Sequence, residues 1–252
     1  MIELREVTKR YRGLAAVRGL SLLVRRGEVF GFLGPNGAGK TTTIRMIAGL
    51  MRPTEGSILV GGVDVAADPI RAKARMGFIP DRPFLYEKLT GEEFLRFLGG
   101  LHRIDGLRLG KRIDELFELF GLKDFRGELI EGYSHGMRQR LVMGGAFLHH
   151  PEVVVVDEPM VGLDPQGARL VKSIFREYCS RGKTIFMSTH TLGVAEEVCD
   201  RIGIIHMGEL IALGTREDLQ RQAKGEADRL ESIFLQLTGG EEMIRVVEYL
   251  RS

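Results

Sequence analysis

Glu28–Thr41 reads EVFGFLGPNGAGKT: an apolar run passes directly into a glycine-rich stretch that ends in lysine and threonine. The run Glu28–Leu33 is short, apolar and glycine-bounded, the signature of a buried strand. Gly34–Thr41 (GPNGAGKT) matches the phosphate-binding loop pattern in full, and it sits where that mechanism needs it, after a strand and before the helical pattern of Thr41–Leu50. Gly34, Gly37 and Gly39 free the backbone for conformations closed to residues with a Cβ, so that successive N–H groups can turn toward phosphate oxygens. Pro35, Asn36 and Ala38 complete the loop, and Thr42 follows in the first helical turn. The helix adds the positive end of its dipole. Lys40 brings a full charge, and the Thr41 hydroxyl is placed to hold Mg²⁺.

Moving outward, the next decisive stretch is Val153–Pro159, VVVVDEP. Four strand-forming valines end in two acids, and neighbouring residues at a strand end can point in different directions. Asp157 is the candidate to hold Mg²⁺ through water, and Glu158 the candidate to orient or deprotonate an attacking water. His190 closes another apolar run, IFMSTH, one strand further along, where the ends of neighbouring parallel strands line a common site. A lone histidine is more often structural; this position makes it a candidate sensor of the terminal phosphate.

Strand-like runs recur at Ile2–Tyr11, Leu20–Val24, Ser57–Val60, Thr184–Thr189 and Ile202–His206, with helical stretches between the later ones. That alternation predicts a parallel sheet covered by helices. Between about 92 and 148 the pattern changes to helical, as in EEFLRFLGGLH and KRIDELFELFGL, and this stretch is an insertion. Residues 216–252 are charged and helical in pattern, an extension to a first unit spanning 1–215.

At 252 residues, 44% hydrophobic and 28% charged, the chain can bury a substantial core. A net charge of +2 argues against a dedicated nucleic-acid binder, so no nucleic-acid partner is expected. Cys179 and Cys199 lack metal-like spacing and read as unpaired thiols of a reducing compartment. No run approaches the roughly 18 to 20 apolar residues of a membrane span. The expected location is therefore cytoplasmic, with any membrane contact made through a partner.

Tyr133–Arg140, YSHGMRQR, resembles the signature loop of ABC-type ATP-binding subunits, and together with the preceding motifs the resemblance runs from Tyr11 to about Thr215. Ser134 is a helix N-cap type with Gly136 just inside, able to offer a hydroxyl and N–H groups to a phosphate. The resemblance implies a P-loop, RecA-like α/β core with an antiparallel β lobe and the helical insertion. It implies ATP and Mg²⁺, with ATP held between one chain's phosphate loop and Ser134–Gly136 of a second chain, identical or not. Tyr11 resembles the aromatic that stacks on adenine, and Asp164, in Gly162–Asp164, the acid of the loop crossing the dimer interface. Lys40, Glu158 and His190 are the expected catalytic groups. Two positions depart from the pattern. His135 and Met137 replace a glycine and a glutamine. Asp81 stands where the family has a glutamine reaching toward Mg²⁺, and it is shorter and charged.

The resemblance is strongest to single-domain ABC-2-type subunits, many of which export, and it implies separate transmembrane permease subunits and a peripheral place on the cytoplasmic face of the membrane. Phe84, Leu85 and Tyr86, in PFLYEKL, are candidates for a groove that takes a cytoplasmic helix of that partner. The rival reading is an ABC ATPase acting on ribosomes, DNA or protein assemblies. The chain has neither the second nucleotide domain, the long coiled coil nor the zinc cysteines such relatives carry. A small-molecule kinase is disfavoured by Glu158, His190 and the signature loop together.

Overall fold

β1 (Ile2–Tyr11) and β2 (Leu14–Val24) form an antiparallel hairpin, with Ile2 opposite Val24 and Tyr11 opposite Leu14, in a computed structural model that describes residues 1–82, 84–222 and 230–238. A register shift between Leu4 and Val7, where Glu6 takes φ +49°, lets both apolar side chains reach the core. The second strand starts well before the apolar run at Leu20, because pairing with β1 rather than burial carries its first half.

β3 (Val29–Leu33) is buried at every position and feeds the glycine-rich loop into α1 (Lys40–Ile47). That helix is shorter than the expected Thr41–Leu50, since the chain turns out at Gly49 with φ +64°. β4 (Glu55–Val60) and β5 (Val63–Asp64) complete an antiparallel sheet of order β2-β1-β4-β5. α2 (Pro69–Ala74), capped by Asp68, leads into β6 (Met76–Ile79).

The insertion follows as α3 (Gly91–Leu101), α4 (Gly106–Leu119), two 3-10 turns, and α5 (His135–Phe147). Thr90 opens α3 with a capping box: its hydroxyl accepts from the Glu93 N–H, and the Glu93 carboxylate accepts from the Thr90 N–H at 2.8 Å. Arg126 ties the insertion together, donating to Glu92 on α3 and to Asp114 on α4, both at 2.5 Å. Its hydrogen bond, with a second from Arg96, holds the Glu92 carboxyl down at about 2.

β7 (Val153–Asp157), α6 (Pro165–Ser180), β8 (Thr184–Thr189), α7 (Leu192–Val198), β9 (Arg201–His206) and β10 (Glu209–Gly214) build the main sheet, order β10-β9-β3-β8-β7-β6. Five strands are parallel, and β10 is an antiparallel edge. The four valines of β7 divide between two cores. Val154 and Val156 pack with the helical insertion, and Val153 and Val155 pack with α1 and the N-terminal sheet. Continuous apolar runs are what a strand covered on both faces requires.

α8 (Arg216–Gln222) and α9 (Leu230–Thr238) lay Leu219, Leu230 and Ile233 against Leu33, Ile202 and Ile204 in a third core. The rest of the expected helical extension, 223–229 and 239–252, lies outside the described residues. Cys179 and Cys199 are free thiols, and burial pushes both up to about 12. Among the described residues no helix is long and apolar enough to cross a membrane.

Candidate nucleotide site

The loop between β3 and α1 is shaped by close approach as much as by torsion. Gly39 takes φ +110°, and a Cβ there would stand 2.6 Å from the Ala16 carbonyl oxygen. Gly37 is left-handed as well, at φ +81°. Gly34 differs from the sequence expectation. Its torsion is open to any residue, and glycine is required because a Cβ would sit 2.8 Å from Cγ2 of Ile205 and closer still to that residue's carbonyl oxygen. Lys40 is buried, and its ammonium donates to the Gly34 and Pro35 carbonyls at 2.6 and 3.1 Å. Gly39→Ala is expected to weaken nucleotide binding by about tenfold or more, because a left-handed alanine and a backbone clash each cost on the order of 1 kcal/mol. Titration with a fluorescent nucleotide checks this; affinity within twofold of wild type would mean that the loop tolerates the rearrangement.

β3, β8 and β7 are neighbours, and they deliver the remaining candidates to one sheet edge. Leu33 stands beside Thr189, and Asp157 beside Ser188. The Ser188 hydroxyl donates to Asp157. Burial raises the Asp157 carboxyl above its ordinary range. The Ser188 bond opposes this, Glu158 and Asp81 add to it, and Lys40 pulls it back. Lys40 answers in kind: burial lowers its ammonium, and Glu158 and Asp157 pull it up again. A buried carboxylate with two further acids near it, and one buried lysine against them, is an environment short of positive charge. Asp157 and the Thr41 hydroxyl are the residues that would hold a divalent cation there, and its charge would offset the acids. Asp81, exposed just beyond the end of β6, is close enough for its charge to be felt at Asp157.

Glu158 itself takes φ +51°, an uncommon conformation for a side-chain-bearing residue, with its N–H donating to the Ser188 carbonyl at 3.1 Å. Its carboxylate accepts from the His190 N–H at 3.0 Å, from His190 Nδ1 at 2.7 Å and from the Thr189 hydroxyl at 3.2 Å. A carboxylate only accepts, so Nδ1 carries the proton and Nε2 is the nitrogen left to meet a phosphate. The roles of Ser188 and Thr189 and the torsion of Glu158 are not legible in the sequence. The letters S and T before His190 are the available signal, but their partners depend on strand register.

The signature-loop residues lie apart from this edge. Ser134 caps α5, accepting from the Met137 N–H at 3.2 Å, and among the described residues no hydrogen bond joins Ser134 or Gly136 to the phosphate loop. His135 turns its imidazole into the space that a side chain at Gly162 would need, so that the two loops are packed together within one chain. Asp164 caps α6, accepting from the Gly167 N–H at 2.6 Å. Tyr11, 44% exposed, donates its hydroxyl to the Met51 sulfur at 2.9 Å, with Lys9 Nζ 5.6 Å from the ring centroid.

A glycine-shaped phosphate cradle, a buried aspartate and a braced glutamate on adjacent strands of one parallel sheet define a P-loop nucleoside triphosphatase. The chain belongs to the ABC transporter family, which it matches over residues 17–161, and it is an ATP-binding, ATP-hydrolysing member. It is 38% identical over 226 residues to the linearmycin resistance ATP-binding protein LnrL of Bacillus subtilis, covering 90% of this chain and 73% of that one. Identity is 39% to the daunorubicin/doxorubicin resistance ATP-binding protein DrrA of Streptomyces peucetius, over 94% of this chain and 76% of the relative. The probable multidrug ABC transporter ATP-binding protein YbhF of Escherichia coli is 37% identical over 94% of this chain, which spans only 41% of its length. Among solved structures, the ATP-binding subunit of an ABC transporter superposes with a TM-score of 0.89 at 33% identity, covering 94% of this chain and 99% of that one. A dimeric post-hydrolysis ATP-binding cassette bound to ADP and phosphate superposes at 0.76 with 25% identity, over 85% and 98% of the two chains.

Proposed function

We propose that this chain drives export through a membrane-embedded partner, using ATP held between two nucleotide-binding subunits paired head to tail. One observation carries the reading: Lys40, Asp157, Glu158 and His190 share one sheet edge, whereas Ser134 and Gly136 sit on the helical insertion with no hydrogen bond to that edge among the described residues. A phosphate-binding helix start with no phosphate to meet in its own chain is complementary to the open site of another. Mg²⁺, held by Thr41 and Asp157, would neutralise phosphate charge. Lys40 donates to the phosphate oxygens, Glu158 orients the water and takes its proton, and His190 reaches the terminal phosphate through Nε2. Tyr11 offers the half-exposed ring for adenine, and Asp164 stands at the subunit boundary. The drug-resistance names of the relatives favour export over import. The chain would then work at the cytoplasmic face of the membrane, held there by its partner.

The partner's seat is a cavity of about 390 Å³ between the core and the insertion, lined by Leu50, Phe78, Phe84, Phe94, Leu98 and Val142 among others. Phe84 is 81% exposed and begins an edge-to-face chain through Tyr86 to Phe97. Leu85, grouped with these two in the sequence, is buried in the core and serves packing. A large exposed aromatic beside an apolar hollow is a docking feature rather than a folding one. Phe84→Asp is therefore expected to abolish recovery of the membrane partner from gently solubilised membranes, while ATP binding by the isolated chain stays within twofold. Retention of the partner by the variant would remove the groove from the interface. Recovery of wild type with ribosomes or nucleic acid, and no multi-spanning protein, would favour the non-transport reading.

A further inference from the structure

The docking groove does not end at its apolar floor. His102 and His149 line it, and the same two residues line a second cavity of about 660 Å³ on the other side, formed by the turn between α3 and α4 and the end of α5. Their rings stack with centroids 3.8 Å apart and planes 8° from parallel. His149 Nε2 lies 3.2 Å from the Met76 carbonyl and donates to it, which leaves Nδ1 buried with no partner. Burial lowers both imidazoles, His149 to about 4, so the pair is a neutral flat wall between the two hollows.

Beyond that wall the lining is basic. Arg103, Arg108 and Lys111 make no side-chain hydrogen bond or ion pair among the described residues. Arg112 donates to Glu115 at 2.8 Å and to the Phe147 carbonyl at 3.0 Å, and its Nε is buried without a partner. The two acids of the cavity are committed, Glu115 to Arg112 and Asp105 to the Leu107 N–H as the cap of α4. Four cations against two acids leave a surplus of two positive charges. A concave hollow with a surplus of positive charge, walled jointly with an apolar groove, suits an anion carried on a chain that already lies in the groove.

We propose that the segment of the membrane partner seated in the groove continues past His102 and His149 and places carboxylate side chains in this cavity, against Arg108, Lys111 and Arg112. This rests on the groove being the partner's seat. Charge complementarity there would set the segment's direction and register, which an apolar groove alone leaves open.

The test uses the intact complex purified from native membranes and a carbodiimide, which couples a lysine amine to a carboxylate in direct contact by forming an amide with loss of water to the reagent. Mass spectrometry is expected to find Lys111 joined to an Asp or Glu of the partner. Arg108→Glu/Lys111→Glu, with its folding checked by thermal unfolding, is expected to lower complex affinity about tenfold or more at low salt, with the difference closing at high salt. Phe84→Asp separates the two readings. If it breaks the complex while the double variant binds like wild type and no cross-link forms at Lys111, the groove stands and the acidic continuation falls. If neither variant weakens the complex, both fall. Isolated wild-type chain is also sedimented with phosphatidylglycerol and with phosphatidylcholine vesicles. Binding to the anionic vesicles alone, lost in the double variant while the complex is unaffected, would assign the cavity to lipid headgroups and overturn the proposal.

Discussion

Replacing Glu158 with glutamine is expected to lower ATP turnover by about two to three orders of magnitude while leaving ATP binding nearly unchanged. Glutamine keeps the shape of the side chain, and its amide oxygen can still accept from the two His190 donors that now hold Oε1 at 2.7 and 3.0 Å. The amide nitrogen can still meet the Thr189 hydroxyl, because a hydroxyl both donates and accepts. The uncommon backbone torsion at this residue, φ +51°, is set by the strand end and by the bond to the Ser188 carbonyl, neither of which the substitution touches. What disappears is the ability to take a proton from water. Nucleotide that binds normally and turns over slowly should hold two chains together, so a dimer should appear on size exclusion in Mg-ATP. Phosphate release and elution volume are the two readouts. Wild-type turnover would place the base elsewhere, and slow turnover by a monomer would count against the shared site.

What could be read from the letters alone was what lies contiguously in them. Gly34–Thr41 and Val153–Glu158 each hold their chemistry within a few residues, and their strand-then-loop context is equally local. The parallel sheet followed from alternation of strand and helix. Features that depend on register did not follow: the hydroxyl of Ser188 reaches Asp157 only because β7 and β8 are adjacent and aligned there. The His135 contact with Gly162 is of the same kind, joining loops on two different elements. Phe84, Leu85 and Tyr86 look alike in sequence, yet the middle one is buried and the outer two are exposed, a difference that no periodicity marks. Gly34 is a glycine for a steric reason rather than the torsional one its motif suggests. The basic cavity was invisible because Arg103, Arg108 and Arg112 come from a turn and a helix face that only folding sets beside His149.

Lys40→Met is expected to remove detectable stabilisation of the chain by Mg-ATP and to lower nucleotide affinity by about a hundredfold or more. The ammonium is already buried and oriented without nucleotide, held by the Gly34 and Pro35 carbonyls at 2.6 and 3.1 Å. It therefore meets phosphate preorganised, with its desolvation largely complete; burial is the main reason its proton is held less tightly than usual. Methionine fills much the same volume but carries no charge and no donor. Two loop carbonyls lose a partner, and Asp157 and Glu158 lose their shared counter-charge just where a polyanion must approach. Losing a buried charge-assisted contact of this kind costs on the order of 3 kcal/mol, which corresponds to about a hundredfold in affinity. The measurement is the shift in unfolding temperature across an ATP titration, where stabilisation grows as RT ln(1 + [L]/Kd). Wild type should climb steadily with ATP, and the variant should stay flat through concentrations that saturate wild type. A variant curve parallel to wild type and displaced by less than tenfold in ATP would mean that the loop's backbone N–H groups, not Lys40, carry the phosphate.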